Sequence, residues 1–563
     1  MTEIVPRNFP AHAAQHLQDS GYSPTLARIF ASRGIAEGKQ LDTSLAGLLP
    51  FGALKNAEEM ARFLADAIEA KKKFMVIADY DADGATACAV AVRGMRAFGA
   101  HIGFIVPNRF EYGYGLTPEI VRLAAEQSPD ILITVDNGIA SVDGVAEASR
   151  LGMHVLITDH HLPSDTLPDA ACIVNPNQPG CTFPSKNLAG VGVMFYVLLA
   201  LRAELRARGA FNEQAEPKLG ELLDLVALGT VADVVRLDQN NRILVQQGLQ
   251  RIRAGRACAG INALLQAAKK DPARVSSRDL GFTVGPRLNA AGRLDDMSLG
   301  INCLLTDDTA TAMQIAARLD ALNRERRSIE TDMQDTALAA LESIDPSSNS
   351  SLVLLDGSWH QGVIGILASR LKDKFHRPTI AFARANANEI KGSGRSIAGL
   401  HLRDALDLVS KRHPSLIKKF GGHSAAAGLT LAETDFENFV SAFEHVCREL
   451  LSENDLAKRI ETDGALESGE MNLEVAHMLD EQVWGQGFPA PQFNDTFIVL
   501  NQRVVGGKHL KLRLGIKGKN IDAILFGHNE PLPEQIHAVY SLDVNVYNDS
   551  VSLQLIIRHW KST

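Results

Sequence analysis

Between residues 71 and 235, short runs that are apolar on both faces alternate with segments of mixed polarity. Phe74–Ala78, Ile102–Val106, Ile131–Val135 and His154–Thr158 are such runs, with Cys172–Val174 as a fifth. Helical patterns lie between them at Ala85–Phe98 and Ala140–Leu151, and another opens at Thr117-Pro118. Doubly apolar strands separated by helices predict a parallel sheet covered on both faces. Residues 1–70 read as a helical lead-in, with an amphipathic stretch at Ala57–Ala70. Residues 241–345 read as a helical connector ending in one long helix, Thr309–Ser343, where Ala316, Leu319, Leu322 and Ile329 recur at helical spacing. Pro346 and the serines after it mark a boundary, and 346–455 is a second, smaller α/β domain. From 460 to 563 the period changes to two, as in Lys508–Leu514, which predicts a barrel or small sandwich.

Composition narrows the class. The 563 residues are 45% hydrophobic and 22% charged, with no low-complexity tract and no basic-then-apolar leader. The apolar run Leu188–Leu201 is too short to span a bilayer and reads as a buried helix. The six cysteines are scattered without a CxxC pair, as expected of reduced thiols in a cytoplasmic protein. A net charge of −9 excludes a uniformly basic surface but not a local basic groove. One candidate is the window Arg503–Lys519, with six Lys/Arg and no acid. It suits either a phosphate-tracking barrel face or a lysine-guarded edge strand.

Four strand-like segments end in acids or acid–imidazole clusters: Asp79-Tyr80-Asp81-Ala82-Asp83-Gly84, Asp136-Asn137-Gly138, Asp159-His160-His161, and Gly229-Thr230-Val231-Ala232-Asp233. In parallel sheets ligands sit at the carboxyl ends of strands, so these clusters are expected to converge. Oxygen donors with imidazoles and no thiolate suit Mg²⁺ or Mn²⁺, and two such ions drive phosphoester hydrolysis. Each cluster also has an ordinary reading. Asp79 or Asp83 suits a helix N-cap, Asp136-Asn137-Gly138 a turn, and His160-His161 a satisfied loop pair. Asp233, an acid among apolar neighbours, requires a cation or a hydrogen-bond partner. Gly422-His423-Ser424-Ala425-Ala426 lacks the last glycine of a nucleophile elbow, Gly190-Val191-Gly192 is too short for a dinucleotide fingerprint, and no P-loop is present.

The ordered set DYDADG, NR, VDNG, DHH and GTVADVV resembles the DHH phosphoesterase superfamily. Gly392-Ser393-Gly394-Arg395-Ser396 and Gly421–Gly428 resemble its DHH-associated domain. With Gly285-Pro286-Arg287-Leu288-Asn289-Ala290-Ala291-Gly292-Arg293 and the terminal β-rich region, nearly the whole chain is similar to the bacterial RecJ family. The resemblance implies a parallel-sheet DHH domain over 71–240, a long linker helix, a DHH-associated α/β domain over 346–455 and an OB-like barrel over 460–563. It implies a single-strand-specific 5′-to-3′ DNA exonuclease of recombination and repair, using two Mn²⁺ or Mg²⁺ ions. Asp81 and Asp136 would hold one ion, and Asp83, Asp136, His160 and Asp233 the other. His161 would meet the scissile phosphate, with Asp79 and Asp159 in support and Arg109 as a cation. Pyrophosphatase-type members carry a histidine where this chain has Ile77, so the first site is expected to be completed by water or Asp79. Arg287, Asn289, Ser369, Arg370, Arg395 and His423 are candidate phosphate contacts, though the arginines equally suit salt bridges. Lys508, Lys511 and Arg513 are candidates on the barrel, and Tyr112 or Tyr114 would stack bases. Single-stranded DNA is the expected partner of a monomer without membrane attachment. A single-strand-binding protein or a helicase would meet the C-terminal tail, though no residue identifies either. Two alternatives stand beside this reading: a phosphodiesterase for short oligonucleotides or cyclic dinucleotides, and a non-catalytic replication scaffold.

Overall fold

The computed structural model describes residues 2–107, 115–212, 215–341, 348–467, 469–547 and 550–563. The chain divides into two units, one comprising Pro6–Ala321 and Glu461–Thr563, the other Met1–Val5 and Leu322–Ile460.

In the larger unit, five parallel strands run in the spatial order His101–Ile105, Lys73–Ala78, Ile131–Val135, His154–Thr158, Cys172–Val174. Ile131–Val135 is buried at every position, because helices cover both faces and leave no polar side to the strand. The chain leaves Lys73–Ala78 towards one edge and returns on its other side at Ile131–Val135. The crevice at the carboxyl ends of these two strands is therefore the topological switch point of the sheet.

The helix Ala82–Ala97 is built of small residues and is buried along most of its length, which allows close approach on every side. A Cβ at Gly94 would lie 2.4 Å from a methyl of Leu198 on the helix Gly190–Ala207. That second helix contains most of the apolar run Leu188–Leu201 and is buried as expected. Among the described residues no helix is long and apolar enough to cross a membrane.

One expectation is corrected. The segment Gly229–Asp233 does not end a strand; it is the last turn of the helix Leu223–Ala232, with Asp233 as its C-cap. The helix is apolar nearly all round and mostly buried, so it shows no 3.6-residue polarity, and a short apolar run cannot be assigned by period alone. The lead-in contains the helices Ala11–Asp19, Pro24–Ala31 and Ala57–Glu69, but Glu3–Pro6 is a strand paired with Arg459–Thr462.

Residues Phe493–Ser562 form a closed five-stranded barrel, which decides between barrel and sandwich. Phe493, Phe497, Leu510, Leu512, Leu514 and Tyr540 fill its interior. The barrel's approach segment is tied to the lead-in. Arg33 donates to Asp463 at 2.7 and 3.1 Å, both side chains being almost fully buried, and Phe30 stacks on Trp484 and Phe488.

The smaller unit has a mixed sheet in which only Leu352–Leu355 and Thr379–Arg384 pair in parallel. Antiparallel strands Glu389–Arg395, Ala426–Ala432 and Lys419–Gly422 complete it. Helices Ile364–Phe375, Leu402–Arg412 and Phe436–Leu450 supply its core with Leu367, Leu406, Phe439 and Phe443. The long helix Thr309–Leu341 runs through the point where the chain passes from one unit to the other.

Candidate metal centre

Asp79, Asp136 and Asp159 each follow the last residue of a parallel strand, so sheet geometry alone brings their backbones together. Asp81, not Asp79 or Asp83, caps the helix Ala82–Ala97: its Oδ1 accepts from the amides of Asp83 at 2.9 Å and Gly84 at 3.0 Å. The turn is tight enough that a Cβ at Gly84 would lie 2.5 Å from the Asp79 carbonyl oxygen. Asp83 is buried within the first turn and caps a different helix, accepting from the amides of Gly190 at 2.6 Å and Val191 at 2.9 Å. Asp136 adopts φ +62°, a left-handed conformation that turns the chain off its strand. The Asn137 side chain holds that turn by donating to the Ile77 and Val135 carbonyls.

Asp159 is buried and organises the two histidines. It accepts from the Ile139 amide at 2.9 Å, the His160 amide at 2.7 Å and the His161 amide at 3.1 Å. His161 Nδ1 lies 2.7 Å from its Oδ1. The imidazoles do not alternate as in a strand, because the strand ends at Thr158; their centroids are 4.6 Å apart. His160 Nε2 lies 3.1 Å from Asp136 Oδ1 and 3.4 Å from Asp233 Oδ2.

Among the described residues three sets result, each with ligand atoms within 4.8 Å of one another: Asp79–Asp81–Asp136, Asp83–His160–Asp233 and Asp136–His160–His161. Asp136 belongs to two of them and lies at the centre of the cluster. The electrostatics are those of a cation site. Burial first, then repulsion from Asp81, pushes the Asp83 carboxyl up to about 7, although two amides favour its ionised form. Burial and the neighbouring carboxylates raise Asp136 and Asp233 well above the ordinary carboxylate range. Burial works against the charged form of His161, but the hydrogen bond and charge of Asp159, with Asp79 and Asp81, raise it to about 9. Burial works against ionisation of Asp159, yet the contacts with His161 outweigh it and hold the carboxyl below its ordinary value. Crowded carboxylate oxygens with imidazole nitrogens and no thiolate fit Mg²⁺ or Mn²⁺.

Several residues without a ligand group of the cluster also shape it. A Cβ at Gly190 would lie 2.5 Å from Asp136 Cβ, and one at Gly229 would lie 2.9 Å from Asp83 Oδ1. Asn175 and Asn177 donate to the carbonyls of His161 and His160. The doubled glycine at 190 and 192, too short for a nucleotide fingerprint, is the one local hint of a close approach there.

The candidate phosphate contacts are distributed differently. Asn289 Oδ1 accepts from the Ala82 amide at 2.7 Å, buttressing the aspartate loop. Arg287 is buried, bound to Asp320 and to the Thr283 carbonyl. Arg109, Tyr112 and Tyr114 lie outside the described residues. In the smaller unit Ser369 is half-buried on the helix Ile364–Phe375, and Arg370 is exposed and paired with Glu330. Arg395 Nη1 donates to Ser393 Oγ and the Gly394 carbonyl, and a Cβ at Gly365, in the first turn of that helix, would lie 3.0 Å from its guanidinium. His423 is exposed in the turn between two strands of the same unit. On the barrel, Lys508 is exposed and Lys511 half-buried; Arg513 pairs with Asp522. Arg503 and Lys511 are direct cross-strand neighbours, a like-charge pair that favours an anion beside it.

The chain matches the DHH family, N-terminal domain, over residues 73–230, the DHHA1 domain over 349–449 and the RecJ OB domain over 462–559. It is 50% identical over 548 residues to the single-stranded-DNA-specific exonuclease RecJ of Salmonella typhimurium, covering 95% of each chain. Against the Escherichia coli protein of the same description it is 48% identical, again over 95% of each. Among solved structures, RecJ from Thermus thermophilus in complex with Mn²⁺ matches all of this chain and 79% of that one, with TM-score 0.83 and 29% identity. A manganese-bound exonuclease RecJ matches 72% of this chain and 97% of that one, with TM-score 0.60 and 35% identity.

Proposed function

The chain belongs to the RecJ family of DHH phosphoesterases, and from that premise we propose that it is a metal-dependent exonuclease specific for single-stranded DNA, degrading from the 5′ end in recombination and repair. The observation that carries the reading is the convergence of Asp79, Asp81, Asp83, Asp136, His160, His161 and Asp233 on one crevice at the switch point of the sheet.

Asp81 and Asp136, with Asp79, would hold one Mn²⁺ or Mg²⁺ ion; Asp83, His160 and Asp233 would hold the second, with Asp136 shared between them. When bound, the ions supply Lewis-acid charge at the phosphate and lower the pKa of water. The residues do the rest. Asp159 fixes the orientation of His161, and its hydrogen bond and charge favour the protonated imidazole, which would place a donor beside the scissile phosphate. Burial of Asp83 and Asp136 excludes bulk water from the carboxylate array and strengthens each charge interaction within it. Asp83, pinned to the Gly190 and Val191 amides, keeps a constant position as charge develops.

Arg395, with Ser393, at the start of the helix Ile364–Phe375 would take a strand phosphate, since a guanidinium and a helix N-terminus both favour an anion. Arg503, Lys508 and Lys511 would track the backbone along the barrel. A single-strand-binding protein or a helicase would be the protein partner of this chain, and the cytoplasm its location.

The test is digestion of 5′-labelled and 3′-labelled single strands and of the matching duplex, with Mn²⁺ and with EDTA. Immediate metal-dependent release of the 5′ label from single strands alone is expected. Turnover of dinucleotides without attack on long strands would transfer the protein to the small-substrate phosphodiesterases.

A further inference from the structure

The most exposed large apolar side chains among the described residues are Phe282 at 75%, Leu162 at 63% and Val234 at 63%. A single exposed apolar residue requires no explanation. Two of these three, however, adjoin proposed metal ligands in the chain, and the third lies on a turn packed against the end of the helix that leads to Asp233. Leu162 directly follows His161, and Val234 directly follows Asp233. His160 Nε2 approaches Asp233 Oδ2 to 3.4 Å, so the segments carrying Leu162 and Val234 meet at one edge of the cluster. Phe282 lies on a π-helical turn, Leu280–Val284, packed on the helix that ends at Asp233. A Cβ at Gly281 would lie 3.1 Å from Val231, and one at Gly285 would lie 3.1 Å from Ala232.

The backbone itself is unusual here. Val234 has φ +61°, a conformation that a β-branched residue adopts only under strain, and π-turns concentrate at functional sites. The strain presents an apolar side chain to solvent next to a metal ligand, which gives folding no benefit.

Resting on the exonuclease reading above, we propose that Phe282, Leu162 and Val234 form an apolar rim that packs against the nucleobases flanking the scissile phosphate. The metal cluster attracts the sugar–phosphate backbone and discriminates no base; apolar and aromatic surfaces beside it would accept any base face, giving grip without sequence preference. A base stacked within a duplex presents no free face to such a rim, so these residues would also contribute to single-strand selectivity. They are positioning residues, since none carries a group for the chemistry.

The test uses the full-length chain with Mn²⁺ on two 5′-phosphorylated single strands, one natural and one lacking bases at the first positions from the 5′ end. The parent is expected to show a KM roughly tenfold higher on the base-less strand, the effect of removing a stacking interaction of about 1.4 kcal/mol. Phe282→Ala and Leu162→Ala should raise KM on the natural strand, with kcat falling less, and lose little more on the base-less strand. Phe282→Tyr should restore the parent value. Equal further losses in parent and variants, or no loss in the parent, overturn the base-packing rim and leave the patch to a protein partner. Failure of the parent to digest the natural strand would instead overturn the exonuclease reading, and the rim with it.

Discussion

Asp83 Oδ2 accepts a hydrogen bond from the amide of Gly190 at 2.6 Å, joining an aspartate of the first cluster to the start of a helix more than a hundred residues later. The same glycine leaves room for Asp136, whose Cβ would be 2.5 Å from any side chain placed there. One small residue therefore sets the separation of Asp83 from the aspartate shared between the two proposed ion sites.

Gly190→Ala should keep the fold and displace Asp136. A shift approaching 1 Å at a reacting centre costs about a hundredfold in rate. Steady-state kinetics on a labelled single strand, paired with Mn²⁺ titration calorimetry, should show both activity and metal affinity falling. Unchanged metal affinity would mean that the helix start does not govern the cluster.

Asp159→Asn keeps the shape of the side chain but removes its charge. His161 should then lose the interaction that raises it to about 9, and its imidazole should titrate closer to the ordinary value near 6.5. Proton NMR of the His161 ring follows that change directly. Activity should fall about 10- to 100-fold, as when other orienting partners of ligand groups are removed.

Stability of the metal-free protein should decline as pH rises. Asp83, Asp136 and Asp233 bind their protons more tightly in the folded state than in the unfolded one, where a carboxyl titrates near 3.8. The folded chain thus carries more protons above that value, and its stability decreases as pH increases through about 7. Divalent ions replace those protons, so the rise in Tm produced by Mn²⁺ should be larger at about pH 8 than at about pH 5. Scanning calorimetry with and without Mn²⁺ checks this, and a metal-induced gain independent of pH would contradict it.

Substituting Arg503, Lys508 and Lys511 with alanine should weaken binding of long single strands uniformly across sequences. The slope of log K against log salt should fall by about 0.7 for each phosphate no longer neutralised. Arg513→Ala should have a smaller effect, because that guanidinium is already paired with Asp522. Fluorescence anisotropy over a salt series measures both. Point substitutions are a cleaner test than removing residues 460–563, which would also strip Asp463, Trp484 and Phe488 from Arg33 and Phe30.

Much of the architecture was legible in local pattern. Buried parallel strands are apolar on both faces and carry their polar residues at the ends, so the positions of Asp79, Asp136 and Asp159 followed from runs such as Ile131–Val135. The helix over Thr309–Leu341 and the alternation of His509–Ile516 were also legible, although the buried stripe of that helix includes Asn323, Arg326 and Glu330 beside Ala316 and Leu319. Composition and the donor types were sufficient to indicate a hard divalent cation.

The remainder depended on contacts distant in sequence. Whether Leu223–Ala232 is strand or helix has no local signature, since burial on nearly all sides erases the polarity that period detection needs. Which aspartate caps which helix was decided by packing: Asp81 serves its own helix while Asp83 serves one beginning at Gly190. Arg287 carries a group suited to phosphate, yet its guanidinium is bound to Asp320 and the Thr283 carbonyl, while Asn289 commits its Oδ1 to the Ala82 amide. A residue's chemistry is local, but its partner is set by where the chain returns, and only the tertiary structure determines that.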